Sequence, residues 1–305
     1  MATGEEGRAG AALGERIDPR ARSRLKVGER GPMVFLEASL PAPFRALFTT
    51  RFGGESEGAF ASLNLDPRSC DNPLTVSRNR NRVAGLLGDL EGRKTRAMAY
   101  RLVSPAQVHG LRVMGAAEYV QHEGGAPGDG LTLHPVLDRE LAALLLFADC
   151  VPLILSGEVD MAVAHAGWRG ILGGIVQQAA AAMTGAPGMA VIGPSIGPCC
   201  YTVGEQVAAA FSARFGSGVV ITAREPVRPG AVPDTPGPEP ATCADGFRVD
   251  LWAAVTKALG EQGIAEDLVV NPRLCTACNV DLFYSYRVEG PVTGRHGCVA
   301  WAASV

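Results

Sequence analysis

Residues 161–174, MAVAHAGWRGILGG, decide how this chain is read. An apolar run of strand length ends in His165, Gly167 and Gly170 follow at once, and the apolar pattern then resumes. This pattern predicts a buried strand that delivers His165 to a tight turn, with a helix starting from the turn. The helix is expected over residues 170–184, with Gly185 as its C-cap. A helix N-terminus presents free N–H groups and a positive dipole end, so the turn is a candidate anion site. Arg169 adds a planar guanidinium suited to phosphate or carboxylate. The glycine spacing is not that of a dinucleotide-binding loop. An ordinary strand-to-helix turn remains the plainer reading.

Two further segments deliver metal-binding side chains in the same manner. LAALLLFADC carries Cys150 at the end of a buried strand, and QVHG carries His109 beside a tight turn. Two neutral imidazoles and a thiolate make a tridentate set for Zn²⁺, with a fourth position left for water or substrate. The same set suits copper in an electron-transfer site. Taken singly, His109 reads as a structural histidine and Cys150 as a small buried apolar residue. Asp149, a carboxylate within an apolar run, needs a partner and is a candidate acceptor for orienting a ligand histidine.

FRALFTTR and MAVIG read as strands, and residues 74–88, 204–216 and 249–263 as helices. The loop TTRFGGESEGAFASLNL places Arg51 before paired glycines, where backbone can approach a ligand closely. Arg51 is a second candidate anion contact and Asn64 a further substrate contact, against the plainer reading of solvated loop residues. VIGPSIGPCCYTVG is a Gly/Pro loop with Ser195 and Tyr201 as candidate contacts. Its Cys199 and Cys200 read as packed thiols. CTAC at 275–278 has C-x-x-C spacing, but no second such motif accompanies it. SYR and TGR place Arg287 and Arg295 near the C-terminus, while His122, His134 and His296 lack comparable context.

The 305 residues are 47% hydrophobic and 19% charged, enough for a sizeable core. A formal charge of −3 and 6% aromatics argue against nucleic acid as a partner. No apolar stretch approaches the ~20 residues of a membrane span. The N-terminus has no signal-like apolar core, and the eight cysteines are scattered, so reduced thiols in the cytoplasm are expected. Residues 1–32 read as a disordered tail, with Met33, where the globular pattern begins, as a candidate for the true start of the protein. One domain is expected over 33–305, with the Pro- and Gly-rich residues 223–246 as a surface excursion.

Together, TRFGG…SLNL, NRNRVAGLLG, QVHG, GDGLTL, ADCVPLIL, AVAHAGWRG, IGPSIGPCCYTVG, VDLW, CT and FYSYR…TGR resemble, in family order, the YfiH/DUF152 family. That family has long been labelled laccase-domain or multicopper polyphenol oxidase-like. The similarity runs from about Phe44 to Trp301. It departs from the pattern in the tail, the Pro-rich excursion and SYR, where relatives often carry a second arginine. The resemblance implies a single α/β domain (α+β by some schemes) with central mixed β-layers flanked by helices. It also implies Zn²⁺ held by His109, Cys150 and His165. It implies purine nucleoside phosphorylase activity with adenosine deaminase and methylthioadenosine phosphorylase side activities. Purine nucleosides and phosphate are then the partners, with Arg51 and Arg169 as candidate phosphate contacts. Asp149, Ser195 and Tyr201 are candidates for the proton donor.

Four other readings stay open. Some relatives are peptidoglycan-precursor editing hydrolases. A copper-dependent polyphenol oxidase would need a cluster of paired histidines, whereas the chain has five histidines and no H-x-H. A cysteine hydrolase would use Cys150 as nucleophile. A zinc-stabilised, non-catalytic module needs no acid–base residue at all.

Overall fold

Both faces of the strand Leu141–Phe147 are covered, and its alternation sets the layers of the molecule. Ala143, Leu145 and Phe147 enter one apolar core, while Ala142, Leu144 and Leu146 enter another. The computed structural model describes residues 4–92, 100–121, 126–222 and 246–303. This strand lies in a six-stranded sheet ordered Leu25–Arg30, Met33–Ala38, Phe44–Thr49, His296–Ala302, Leu141–Phe147, Arg101–Val103. A second six-stranded sheet is ordered Val269–Val270, Pro187–Ile192, Val151–Gly157, Met161–Ala166, Gly130–Leu133, Val113–Gly115. Thr202–Val203, Phe247–Val249 and Val220–Thr222 form a small third sheet. Neighbours are antiparallel except for three parallel pairings, which join 101–103 to 141–147, 113–115 to 130–133 and 187–192 to 269–270.

The two large sheets face each other. Phe48, Leu145 and Cys298 of the first pack with Ile154, Val163 and Val191 of the second. The helix Pro73–Leu90 covers the outer face of the first sheet through Val83, Leu86 and Leu87. Asn72 caps that helix by accepting from the Leu74 and Thr75 N–H groups, and Pro73 opens it. The helices Ile175–Ala181, Glu205–Phe215 and Leu251–Gly260 cover the second sheet through Ile175, Phe211 and Trp252. The result is a mixed α/β single domain, as expected. Runs such as LAALLLF are unbroken because these antiparallel sheets are covered on both sides, a situation more usual for parallel ones.

Three expectations change. The helix predicted over 170–184 is two helices, Trp168–Gly173 and Ile175–Ala181. Gly174 separates them at φ 97°, a left-handed conformation that glycine adopts without strain. The second helix stops short of Gly185. Residues 223–245 of the Pro-rich excursion lie outside the described residues.

The third change concerns the expected disordered tail. Residues Gly4–Arg16 form a helix, and Leu25–Arg30 pairs antiparallel with Met33–Ala38. Ala9, Leu13, Ile17, Ala21 and Leu25 are buried in the core between the sheets. Arg16 donates to Asn279 at 2.9 Å and to Asp281, tying the helix to the C-terminal loops. The signal was missed because its apolar stripe is thin and largely alanine. Leu13 has no exposed surface. Leu13→Ala should therefore lower stability by about 2–5 kcal/mol in urea unfolding. A loss under about 0.5 kcal/mol would show that this segment is not part of the core.

Candidate metal centre

Three chain segments meet at one end of the seam between the large sheets. Cys150 ends the connection that crosses from Leu141–Phe147 in one sheet to Val151–Gly157 in the other. His165, near the end of Met161–Ala166, pairs with Pro152 across the ladder. His109 comes from the loop 104–112, which Gln107 docks by exchanging two 2.8 Å hydrogen bonds with the Leu146 backbone. The ligating atoms of His109, Cys150 and His165 lie within 4.8 Å of one another. His109 Nε2 is 3.7 Å from Cys150 Sγ, and the two imidazoles meet edge to face at 4.7 Å.

This geometry fits one metal ion. Bonds of ~2.1 Å to nitrogen and ~2.3 Å to sulfur, at a tetrahedral angle, hold N and S about 3.6 Å apart. Gly167 leaves room for it: a Cβ there would sit 2.9 Å from His109 Cδ2 and 3.2 Å from Cys150 Sγ. His165 is buried and Cys150 half-buried, but His109 is exposed, so the set opens to solvent on that side.

The organiser of the set is Asp129, fully buried just before the strand Gly130–Leu133. Its carboxylate accepts from the backbone N–H groups of Val108 (3.2 Å), His109 (2.9 Å) and Gly110 (2.7 Å). It also accepts from His165 Nδ1 at 2.8 Å, and its carbonyl accepts from His165 N at 2.7 Å. With Nδ1–H committed to the carboxylate, His165 offers Nε2 to a metal. The same carboxylate holds His109 in its left-handed backbone conformation, φ 59°. Burial pushes the Asp129 carboxyl up, but the His165 and Gly110 bonds outweigh it and hold the carboxyl below its ordinary range. Burial likewise lowers His165, yet the Cys150 thiolate and Asp129 raise it to about 9. Burial raises Cys150, and the two histidines, His165 foremost, bring it down to about 6. Without metal the pair is thiolate and imidazolium.

The orienting role expected of Asp149 therefore belongs to Asp129, whose sequence signal was the GDG before a strand. Asp149 is buried at φ 91° and holds other loops. It accepts from Thr276 Oγ1 (2.6 Å), Ser285 Oγ (2.7 Å) and the Arg287 N–H (2.6 Å). Burial raises its carboxyl despite those bonds. Ser195 is also buried, donating to Gly193 O and accepting from Trp252 Nε1. Asn64 is buried and bonded on both sides, to Ser69 and Asp71 and from the N–H groups of Asp66 and Arg295. Arg51 bonds the Ala61 and Val280 carbonyls and Glu289, and stacks on Tyr284 at 4.6 Å. All four expected contacts are engaged in hydrogen bonds within the protein.

The two remaining expected contacts, Arg169 and Tyr201, are linked electrostatically, and Tyr201 also feels Cys150. Arg169 is exposed and lies over the Trp168 ring at 4.3 Å. Tyr201 is half-buried beneath the Arg287 guanidinium at 5.3 Å. Burial, then the Cys150 thiolate, pushes the Tyr201 hydroxyl up, with Arg287 and Arg169 opposing. The helix after His165 has six residues, so the cations, more than a dipole, make that side positive. Arg287 is the contact left without a role by the sequence. His134 Nδ1 accepts from the Val136 and Leu137 N–H groups, and His296 is buried against Phe147 and Phe283. Neither joins the set, and His122 lies outside the described residues.

Fold and centre together define an α/β protein in which two imidazoles and a thiolate, a set that could hold a metal ion, meet at a sheet seam. Residues 45–303 match the family model described as multi-copper polyphenol oxidoreductase laccase, and the chain belongs to that family. It is 32% identical to Purine nucleoside phosphorylase YlmD of Geobacillus stearothermophilus, covering 81% of this chain and 86% of that one. It is 35% identical to a purine nucleoside phosphorylase of Deinococcus radiodurans, covering 81% and 85%. A solved Neisseria meningitidis protein of DUF152 superposes with a TM-score of 0.70 at 30% identity, covering 92% and 100%. The described histidines do not fit the paired-imidazole cluster of a multicopper oxidase.

Asp129→Asn should keep the shape but lose the charge, weakening Zn²⁺ binding about 10–100-fold in chelator competition. Gly167→Ala should weaken it too, by displacing His109 and Cys150. Unchanged affinity in both would separate Asp129 and Gly167 from the metal set.

The metal-free pair sets the sign of the pH dependence. Cys150 is already deprotonated above about 6, and His165 keeps its proton to about 9. Between these values each Zn²⁺ bound expels about one proton, so affinity rises about tenfold per pH unit and levels off above that window. Calorimetry in buffers of different ionisation enthalpy reads the proton count directly. No proton release at neutral pH would contradict the pairing.

Proposed function

We propose that this chain is a zinc-dependent purine nucleoside phosphorylase. It converts adenosine or inosine and phosphate to the base and ribose 1-phosphate, with adenosine deaminase and methylthioadenosine phosphorylase side activities. The observation that carries the reading is the stacking of the Arg287 guanidinium over the Tyr201 ring at 5.3 Å, with Cys150 and Arg169 also acting electrostatically on Tyr201. An anion and an uncharged aromatic ligand suit that surface, and relatives named purine nucleoside phosphorylases match over most of the chain. Zn²⁺ held by His109, Cys150 and His165 would supply a Lewis acid there.

The chain's own groups divide the remaining work. Arg169 positions phosphate against C1′ and offsets its charge as the oxocarbenium-like state develops. Tyr201 keeps its proton at Oη, since burial raises it, and can donate to the purine or to phosphate. Asp149, with both oxygens engaged, shapes the wall and is not the proton donor. We read residues 33–305 as the catalytic unit and the segment before them as its cover. Among the described residues no helix is long and apolar enough to cross a membrane, and a cytoplasmic location accords with free thiols.

A second reading rests on the thiolate–imidazolium pair of Cys150 and His165, which suits a cysteine hydrolase. One experiment separates the two. Inosine, adenosine and methylthioadenosine are incubated with and without phosphate, before and after chelation, and read by chromatography. Phosphate-dependent base release that chelation abolishes and Zn²⁺ restores is expected. Arg169→Ala should raise the phosphate KM roughly 10–100-fold, the worth of one charged hydrogen bond. Base release indifferent to both phosphate and chelation would sink the phosphorylase reading.

A further inference from the structure

Cys199 and Cys200 of GPCCY meet Cys275 and Cys278 of CTAC, so the C-x-x-C motif has its partner in an adjacent cysteine pair. All four sulfurs lie within 4.8 Å of one another. Cys278 Sγ is 3.5 Å from Cys199 Sγ and 3.3 Å from Cys200 Sγ. Cys275 is buried and the other three half-buried.

The two loops are built to hold this arrangement. Ser195 N donates to Leu274 O and Thr276 N to Ser195 O, both at 3.1 Å, which fixes one loop against the other. The Cys200 and Tyr201 N–H groups turn back onto Gly197 O, each at 3.0 Å. On the other loop, Asn279 N donates to Thr276 O, and Asn279 Nδ2 to Cys275 O at 2.6 Å. Gly197 N–H donates to Cys275 Sγ at 3.2 Å, as amides commonly do to metal-bound thiolates. A Cβ at Gly197 would meet the Trp252 ring at 2.7 Å, Cys275 Cβ at 3.2 Å and Cys199 Sγ at 3.3 Å, so only glycine fits between the indole and these two cysteines.

We propose that Cys199, Cys200, Cys275 and Cys278 bind a second Zn²⁺ as a closed tetrathiolate site, separate from His109, Cys150 and His165. Sulfurs around one zinc at ~2.3 Å stand about 3.8 Å apart, close to the spacing found. A four-iron cluster would stand between its thiolates and spread them further. A disulfide would use two sulfurs and leave the other two without a purpose. On binding, four thiols release four protons to solvent and the four thiolates take up one Zn²⁺, giving a doubly negative centre with no open position. A closed sulfur site of this kind is structural.

Its effect reaches the neighbouring centre. The clamp fixes Tyr201, directly after Cys200, and Thr276, which hydrogen-bonds Asp149 beside Cys150. Arg287 joins the two, its guanidinium donating to Cys200 O at 3.3 Å and Thr202 O at 3.0 Å and its backbone N–H to Asp149 at 2.6 Å.

The test is metal content of the full chain, purified with reductant and without chelator, then dialysed against limiting Zn²⁺. Wild-type protein should carry two ions per chain. Cys278→Ser and Cys200→Ser should each carry one, as should Cys150→Ser, and Cys150→Ser with Cys278→Ser close to none. Loss of one ion from Cys278→Ser is independent of any phosphorylase activity. Should the variants not fold, wild-type protein decides. Alkylation mapped by mass spectrometry should spare Cys199, Cys200, Cys275 and Cys278 until a chelator is added, while exposed Cys70 reacts throughout. One ion per wild-type chain, a disulfide within the four under reductant, or alkylation at the Cys70 rate with Zn²⁺ present would each overturn the site.

Discussion

One buried carboxylate organises the functional end of this molecule. Asp129 gathers three successive amides of the QVHG loop and the Nδ1–H of His165. Without those donors a charge with no exposed surface would be prohibitively desolvated. With them, two candidate ligand histidines from distant parts of the chain are oriented by one group. A buried charge pair contributes little to net stability, and removing one partner costs about 3–5 kcal/mol. Its value here is positional. It fixes the His165 tautomer and holds His109 in a backbone conformation a non-glycine residue rarely keeps.

The place of the centre follows from the layering. A chain leaving one sheet at Phe147 and entering the other at Val151 has three residues in which to cross. Those residues include Asp149 and Cys150, and both become fixed by what surrounds the crossing. Asp149 is satisfied by Thr276, Ser285 and the Arg287 amide, so C-terminal turns are locked to the same crossing. Arg51 and Asn64 tie the neighbouring loops in turn. A rigid rim of this kind keeps ligand positions within the narrow tolerance a metal demands.

How far this was legible depends on the range of the interactions. The His109, Cys150 and His165 set was readable because each residue ends an apolar segment with a turn signal beside it. The helix at 73–90 was readable because Val76, Val83, Leu86 and Leu87 repeat on one face and all are buried. Asp129 was not singled out, since an aspartate between glycines looks like any turn. Its meaning lies in partners 19 to 36 residues away. Ser195, Asn64 and Arg51 have the right chemistry for substrate contacts, but their bonds go to the scaffold, which local sequence does not reveal. The N-terminal helix was missed for an energetic reason: its own hydrophobicity is low, and it is held by a core supplied from elsewhere.

The two cysteine-containing clusters are best regarded as one mechanical unit. Thr276 sits inside C-x-x-C and hydrogen-bonds Asp149, which adjoins Cys150. Tyr201 follows Cys200 and feels the charge of Cys150 and of Arg169. Arg287 touches both ends, through its backbone to Asp149 and through its guanidinium to the Cys200 carbonyl. Anything that tightens the four-sulfur cluster therefore restricts Tyr201 and Arg287, whose side chains stack on each other. Pre-positioned dipoles and cations act more strongly in such a half-buried site than in water, because they need not reorganise as charge develops. The polar surroundings are thus set by the fold before any ligand arrives, and at exposed His109 the set meets solvent.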